Sequence, residues 1–428
     1  MNEEYDVVIV GTGVAGLYCA LQFPDSMRVC IFTKQKAEEA NSFLAQGGIC
    51  VLRGEDDFPD YYEDTMRAGH YENNPKTVEL VLRSSNHVVR DLIRYGVQFQ
   101  RNPDGTLAYT REGAHSKPRI LYHQDITGHE ICSVLLQRVR ERSHITLKEH
   151  TTLLDLLTDG TTCGGVVVET SEHKIQTISA PFVVLACGGI GGLFQNSTSF
   201  PHMTGDALAI AIQHHIHMKD LNYIQIHPTA LYTQEKGRRF LISESVRGEG
   251  ALLLNKAGQR FADELQPRDL LSQAIFKQME LDKSDHVFED LTPLGERTIL
   301  EHFPNIFDAC LKAGYDARKE PVPVAPAQHY LMGGIAVDFA SRTSMRGLYA
   351  CGETSCNGIH GKNRLASNSL LESIVFAKRA ADDIIFGVHP SETTEFSVNF
   401  EAYQNTDALA SQYANLVLNE IERWNHHE

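Results

Sequence analysis

Residues 5–16 read Tyr5-Asp-Val-Val-Ile-Val10 and then Gly11-Thr12-Gly13-Val14-Ala15-Gly16. A short apolar run ends in a glycine turn, and Leu17-Tyr-Cys-Ala-Leu-Gln22 continues as a helix. G-x-G-x-x-G between a strand and a helix lets backbone approach a pyrophosphate, which the free N–H groups and positive dipole of the helix N-terminus attract. Arg28-Val-Cys-Ile-Phe-Thr33 is a second apolar strand. Parallel strands covered on both faces show such continuous apolar runs, so the stretch predicts a β-α-β unit. The expected fold class is α/β with a Rossmann-like dinucleotide-binding domain, and residues 11–16 are cofactor-binding candidates.

Further along, Ile145-Thr-Leu-Lys148, Gly165-Val-Val-Val-Glu169 and Phe182-Val-Val-Leu-Ala186 read as strands, the last ending in Cys-Gly-Gly. Gly347-Leu-Tyr-Ala-Cys-Gly352 is another, and a helix follows from about Ser369. The cofactor domain is therefore discontinuous, 1–220 and 331–390, with an inserted α+β capping domain over 221–330. The tail, 391–428, is polar and then helical through Leu416, Val417, Leu418 and Ile421.

The 428 residues carry a formal charge of −16, which argues against general nucleic-acid affinity but not against a local arginine cluster for an anionic substrate. No apolar run reaches the roughly 18–20 residues of a membrane span. The start Met1-Asn-Glu-Glu-Tyr-Asp6 is acidic, unlike a signal peptide. Nine cysteines without a C-x-x-C pair read as reduced thiols, and a cytoplasmic location is expected. Cys351 and Cys356 read as small buried thiols, and no metal site is expected. His214, His215, His217, His426 and His427 read as surface residues.

Three more segments belong with the glycine turn: Arg111-Glu-Gly-Ala-His-Ser116, Pro267-Arg-Asp269 and Gly361-Lys-Asn-Arg-Leu-Ala-Ser-Asn-Ser-Leu-Leu-Glu372. They supply a glutamate and two arginines, as an oxidoreductase handling a small dicarboxylate requires. Over about residues 5–385 this set resembles the L-aspartate oxidases, flavoenzymes related to the succinate dehydrogenase and fumarate reductase flavoproteins. The resemblance implies FAD. The second strand ends in Thr33-Lys34 where an acid usually binds the adenosine ribose, and a Ser/Thr-Lys pair is similar to the family's own departure. Asn41-Ser42-Phe43-Leu44-Ala45-Gln46-Gly47-Gly48 resembles the segment beside the flavin. Asn41 stands where succinate dehydrogenases carry a flavin-linked histidine, so non-covalent FAD is expected. Gly188-Gly-Ile-Gly-Gly192 looks like the second glycine turn, Asp206 closes a T-G-D element near the ribityl chain, and Glu353 is placed to bind a ribose or ribityl hydroxyl. Ser367 and Asn368 are good N-caps for a helix whose start, at Ser369 and Leu370, faces the flavin.

By the same resemblance His227, Ser243, His329 and Arg364 hold the substrate carboxylates, for which the arginine fork suits bidentate pairing. Arg268 matches the family's proton-transferring arginine, but its ordinary pKa above 12 makes a carboxylate clamp equally tenable. Glu244 and Arg247 support it. Glu112 stands where succinate dehydrogenases carry a non-acidic residue, and there it would pair with a substrate ammonium group. His123-Gln-Asp-Ile-Thr-Gly128 is one residue shorter than the family segment, which would shift a loop close to Glu112. Family members usually carry a C-terminal helical bundle, of which 391–428 would supply one or two helices.

The implied function is FAD-dependent oxidation of L-aspartate to iminoaspartate, with oxygen or fumarate as acceptor. The product would feed quinolinate formation in NAD synthesis, with a hand-off to quinolinate synthase. The alternatives are a soluble fumarate reductase or succinate-oxidising flavoprotein, against which Glu112 argues, and an inactive flavin-binding partner protein.

Overall fold

The structure, a computed structural model, describes residues 3–235, 237–388, 396 and 398–426. The tail positions 389–395, 397 and 427–428, His427 among them, lie outside the described residues.

Strand Val7–Val10 is central in a five-stranded parallel sheet ordered Leu348–Ala350, Phe182–Leu185, Val7–Val10, Val29–Phe32, Ile145–Lys148. Every side chain of Val7–Val10 and Val29–Phe32 is buried, which accounts for the unbroken apolar runs. Helix Val14–Ala20 and the long helix Asn368–Phe386 cover one face. Two glycines make the first turn possible. Gly11 has φ +111°, and a Cβ there would lie 2.2 Å from the Ala186 carbonyl; one on Gly16 would lie 2.0 Å from the Gly11 carbonyl. The helix therefore starts directly against the strand end, with its first N–H groups over the sheet edge.

The expected strand over 165–169 exists as Cys163–Glu169, but it belongs to a second, four-stranded sheet ordered Glu3–Glu4, Ile175–Ser179, Cys163–Glu169, Thr152–Thr158. Its valines are buried on both faces: Val166 and Val168 against the main core, and Val167 with Leu154 and Leu157 toward Phe396 and Tyr403 of the tail. A doubly covered antiparallel strand has the same apolar run as a parallel one, so the run alone could not assign its sheet. The tail helix is Thr406–Asn425. Tyr413, Val417 and Ile421, four residues apart, form its buried stripe against helix Asp206–Gln213, whereas Leu418, a neighbour off that stripe, stays 38% exposed.

Within the inserted stretch lies an antiparallel sheet ordered Ile224–Leu231, Val322–Leu331, Val287–Asp290, Leu252–Leu254. Helices Glu244–Gly248, Arg268–Asp282, Glu296–His302 and Pro304–Lys312 accompany it. They share a separate core that includes Leu253, Leu271, Ile275, Val287, Ile299 and Ile306. The chain enters and leaves this α+β unit side by side, because Met218–Lys219 pairs antiparallel with Gly334–Ala336. Among the described residues no helix is long and apolar enough to cross a membrane.

Candidate active site

A cavity of about 400 Å³ runs from the Gly11 turn, past residues 40–48, to the junction with the inserted unit. Most candidate residues line it, from Gly11, Thr12, Gly13 and Ala15 at one end to Arg268, His329 and Arg364 at the other. Val14 and Gly16 do not reach it; Gly16 serves packing.

The cofactor end is built mainly from backbone. Gly13 caps helix Val14–Ala20 without a side-chain bond, and the Val14 N–H donates to Ser42 Oγ at 3.1 Å. That bond pins residues 41–44 to the phosphate turn. Thr127 Oγ1 donates to the Gly47 carbonyl at 3.3 Å, so the 123–128 segment braces the same strip. Gln46 Oε1 is buried on the cavity wall with no partner among the described residues, where it suits a donor of an occupant. Lys34 and Asp206 meet as an ion pair at 2.7 Å, with Thr204 Oγ1 3.1 Å from the lysine. Asn41 Oδ1 accepts from the Phe200 N–H at 3.0 Å. Glu353 accepts from the Leu331 N–H at 3.0 Å, and burial pushes its carboxyl up to about 7. An elongated cavity with an uncapped helix start, an orphaned amide oxygen and a carboxyl able to accept hydroxyls fits FAD.

Ser367 does not act as the expected side-chain cap. It is the N-cap residue of helix Asn368–Phe386, in a left-handed conformation with φ +61°, and its hydroxyl donates to Glu112 instead. Among the described residues no side chain caps this helix, and Ser369 and Leu370 in its first turn line the cavity.

At the other end two guanidinium groups share one acceptor. Arg268 donates from Nη1 to Gln225 Oε1 at 2.8 Å and from Nε to Glu244 Oε2 at 2.6 Å. Arg364 donates from Nε to the same Gln225 oxygen at 3.4 Å, from Nη2 to His329 Nε2 at 3.1 Å and from Nη1 to Ser369 Oγ. Its guanidinium carbon lies 4.5 Å from the Tyr330 ring centroid. Burial, and then Arg268, lower the Arg364 pKa to about 10. Burial followed by the two arginines holds His329 well below the ordinary histidine range, so it is neutral. His227 is fully buried and likewise neutral, by burial and then Arg268. Its Nδ1 accepts the Thr229 N–H at 3.2 Å, so the proton sits on Nε2, which has no partner among the described residues. Arg268 is balanced by Glu244, whereas Arg364 meets neutral partners, and its charge together with the unsatisfied imidazole N–H suits an anion, because unpaired buried donors and cations are costly without one.

Glu112 brings the opposite charge to this cavity. It is 3% exposed and accepts from Ser245 Oγ at 3.0 Å and from Ser367 Oγ. Burial and the neighbouring Glu244 carboxylate raise its carboxyl above the ordinary range. Burial would raise Glu244 too, but Arg268 and then Arg247 outweigh it and hold that carboxyl low. Gly47 gives Glu112 room, since a Cβ there would lie 2.1 Å from its Oε1. The loop carrying Glu112 is anchored by Arg119, fully buried between Asp57 at 3.0 Å and Asp64 at 2.7 Å, with His115 Nδ1 3.1 Å away. Ser243 caps helix Glu244–Gly248 through the Ser245 N–H and lines the cavity.

Gln225, Ser245, Thr198 and Arg119 were absent from the sequence-derived candidates. Thr198 Oγ1 lies 2.8 Å from His329 Nδ1 and orients that ring. Gln225 had a readable signal, because it stands two residues before His227 on one strand and so shares its face. His214 is not the surface residue expected: it is half-buried and 2.6 Å from Asp155. His215, His217 and His426 are exposed. Cys351 and Cys356 are buried free thiols, Cys351 on the cavity wall.

Residues 6–370 match the FAD binding domain family. The chain is 46% identical over 427 residues to the L-aspartate oxidase of Clostridium acetobutylicum, covering 99% of this chain and 97% of that protein. It is 48% identical over 385 residues to the L-aspartate oxidase of Clostridium perfringens, covering 90% and 87%. Among solved structures, FrdA of E. coli quinol fumarate reductase superposes with a TM-score of 0.83 at 29% identity, covering 98% of this chain and 74% of that one.

Proposed function

The chain belongs to the L-aspartate oxidases of the succinate dehydrogenase and fumarate reductase flavoprotein family, and from that premise we propose that it oxidises L-aspartate to iminoaspartate. The observation that carries the reading is Glu112, a buried carboxylate lining the same cavity as Arg268 and Arg364. L-Aspartate has the complementary pattern of one ammonium and two carboxylates. Succinate would leave Glu112 facing a methylene, a buried carboxylate without the cation that the ammonium supplies.

FAD is the cofactor; when bound it supplies the two-electron acceptor for a hydride leaving the substrate Cα. In the proposed pose, Arg364, oriented by His329 Nε2, holds one carboxylate, while Arg268, His227 Nε2–H and Ser243 hold the other. Glu112 holds the ammonium, and its raised affinity for a proton suits it to receive the one that the nitrogen loses as the C=N bond forms. Glu244 keeps Arg268 oriented and charged. In the fumarate direction Arg268 is placed as clamp or as proton donor to the Cα–Cβ bond. Oxygen or fumarate accepts the electrons, and the iminoaspartate passes to quinolinate synthase in NAD synthesis.

Asn41 has no nucleophilic atom for a flavin bond, so the FAD is held non-covalently. The purified protein is expected to be yellow, to release all flavin on acid or heat denaturation, and to bleach with L-aspartate under anaerobic conditions. Flavin remaining on the denatured chain would refute the non-covalent attachment, and failure to bleach would refute the substrate.

We assign 1–220 and 331–390 to the FAD domain and 221–330 to a cap, so that the substrate binds between them. Succinate is then expected to slow hydrogen exchange at 218–224 and 328–336 without altering helix Val14–Ala20. Protection of that helix alone would put the boundary elsewhere.

A further inference from the structure

We propose that His70 is a positioning residue for Arg268, acting through Asp269 from outside the cavity; this rests on the assignment of Arg268 to the substrate carboxylate. His70 Nε2 lies 2.9 Å from Asp269 Oδ2. Asp269 is the neighbour of Arg268 in the first turn of helix Arg268–Asp282, on the inserted unit, while His70 follows helix Phe58–Ala68 in the other part of the chain. An exposed pair of this kind is ordinarily worth little. Three features set this one apart.

First, His70 and Tyr71 both adopt left-handed backbone, with φ +57° and +60°. Consecutive non-glycine residues there are strained and persist only where the surroundings over-determine them. The turn is fixed from both sides. The Tyr71 N–H donates to the Met66 carbonyl at 2.8 Å and its hydroxyl to Glu63 at 2.6 Å, while the Gly69 carbonyl accepts the Lys362 N–H at 3.1 Å. This backbone directs the His70 ring at the inserted unit.

Second, the contact closes a ring through Arg268. Arg268 donates to Gln225, Gln225 Nε2 donates to Asn363 Oδ1 at 2.8 Å, and Asn363 Nδ2 donates to the Ala68 carbonyl at 2.9 Å. Two residues further along that chain segment is His70, which returns the path to Asp269 and Arg268. Remove His70 and the circuit is an open chain, in which the Arg268 side chain reaches the FAD side through Gln225.

Third, Asp269 Oδ1 is buried without a partner, so the His70 bond is the interaction that orients this carboxylate among the described residues.

The test compares wild-type holoenzyme with His70→Ala and His70→Asn. Asparagine tolerates left-handed backbone and keeps a donor. In His70→Ala, amide exchange over 268–275 is expected to accelerate, and the succinate Kd read from flavin absorbance to rise, each by roughly three- to tenfold. Helix Val14–Ala20 should exchange as before. His70→Asn should recover part of both changes. The proposal is overturned if His70→Ala leaves exchange over 268–275 unchanged, or if exchange rises throughout the chain with a lower Tm and no recovery in His70→Asn. The exchange arm needs no substrate. A local change at 268–275 in a protein that L-aspartate fails to bleach would refute the activity and leave the latch standing.

Discussion

Arg268→Lys is expected to lower kcat/KM for L-aspartate by roughly 10²–10³-fold, about 3–4 kcal/mol of transition-state stabilisation, while FAD stays bound. The guanidinium divides its donors, with Nε on Glu244 and Nη1 on Gln225, leaving Nη2 for a ligand. A lysine has one compact ammonium at the end of a flexible stem. It can neutralise Glu244 or reach a ligand, but it cannot hold the fork that does both. Gln225 Oε1 would also lose a donor while still accepting from Arg364. Fumarate reduction should fall in parallel, because both directions use this contact. Steady-state kinetics beside a flavin absorbance spectrum decides the matter: near-wild-type turnover in the lysine variant would remove Arg268 from both proposed roles, clamp and proton carrier.

Glu112→Gln should separate the two reactions. Losing a desolvated partner of the substrate ammonium costs about 2–5 kcal/mol, roughly 30- to 5,000-fold in kcat/KM for L-aspartate. Fumarate has no ammonium, so its reduction should change only a few-fold. Glutamine preserves the shape, accepting from one of the Ser245 and Ser367 hydroxyls through its carbonyl oxygen and donating to the other through its NH2. The pH profile carries the same distinction. The Glu112 carboxyl sits above its ordinary range because of burial and Glu244, and it is neutral below its pKa. As pH falls through that raised value the ammonium loses its partner, so activity on L-aspartate should fall on the acid side. Fumarate reduction should lack that limb, as should the residual activity of the variant. Equal loss of both reactions in Glu112→Gln would show that the carboxylate does not select the substrate.

What the chain discloses in advance follows from the range of each interaction. The Gly11 turn is readable because strand, turn and helix are contiguous and each step has a local cause. Arg268, Arg364, His227 and Glu112 stand out through their motif contexts, although no local pattern shows that they face one cavity. Gln225 escapes notice because its importance is relational: it matters for accepting from two arginines located 43 and 139 positions away. Ser367 misleads for a related reason. A serine before a helix is a cap by local rule, but a buried carboxylate from residue 112 competes for the hydroxyl. The sheet of Cys163–Glu169 was not assignable either, because burial on both faces erases the alternation that separates the two sheet types.

The paired strands Met218–Lys219 and Gly334–Ala336 have a mechanical meaning. A unit attached by two distant crossings can twist, slide and tilt. One attached by two crossings lying side by side behaves more like a door on a single pin, with rotation about that pin as its easy motion. His227, Ser243, Arg268 and His329 all ride on the door, whereas Glu112 and Arg364 belong to the frame. Under the proposed domains and pose, opening would withdraw these four residues as a set and leave Glu112 and one guanidinium behind. An arriving dicarboxylate would meet the fixed charges first and acquire the moving ones together.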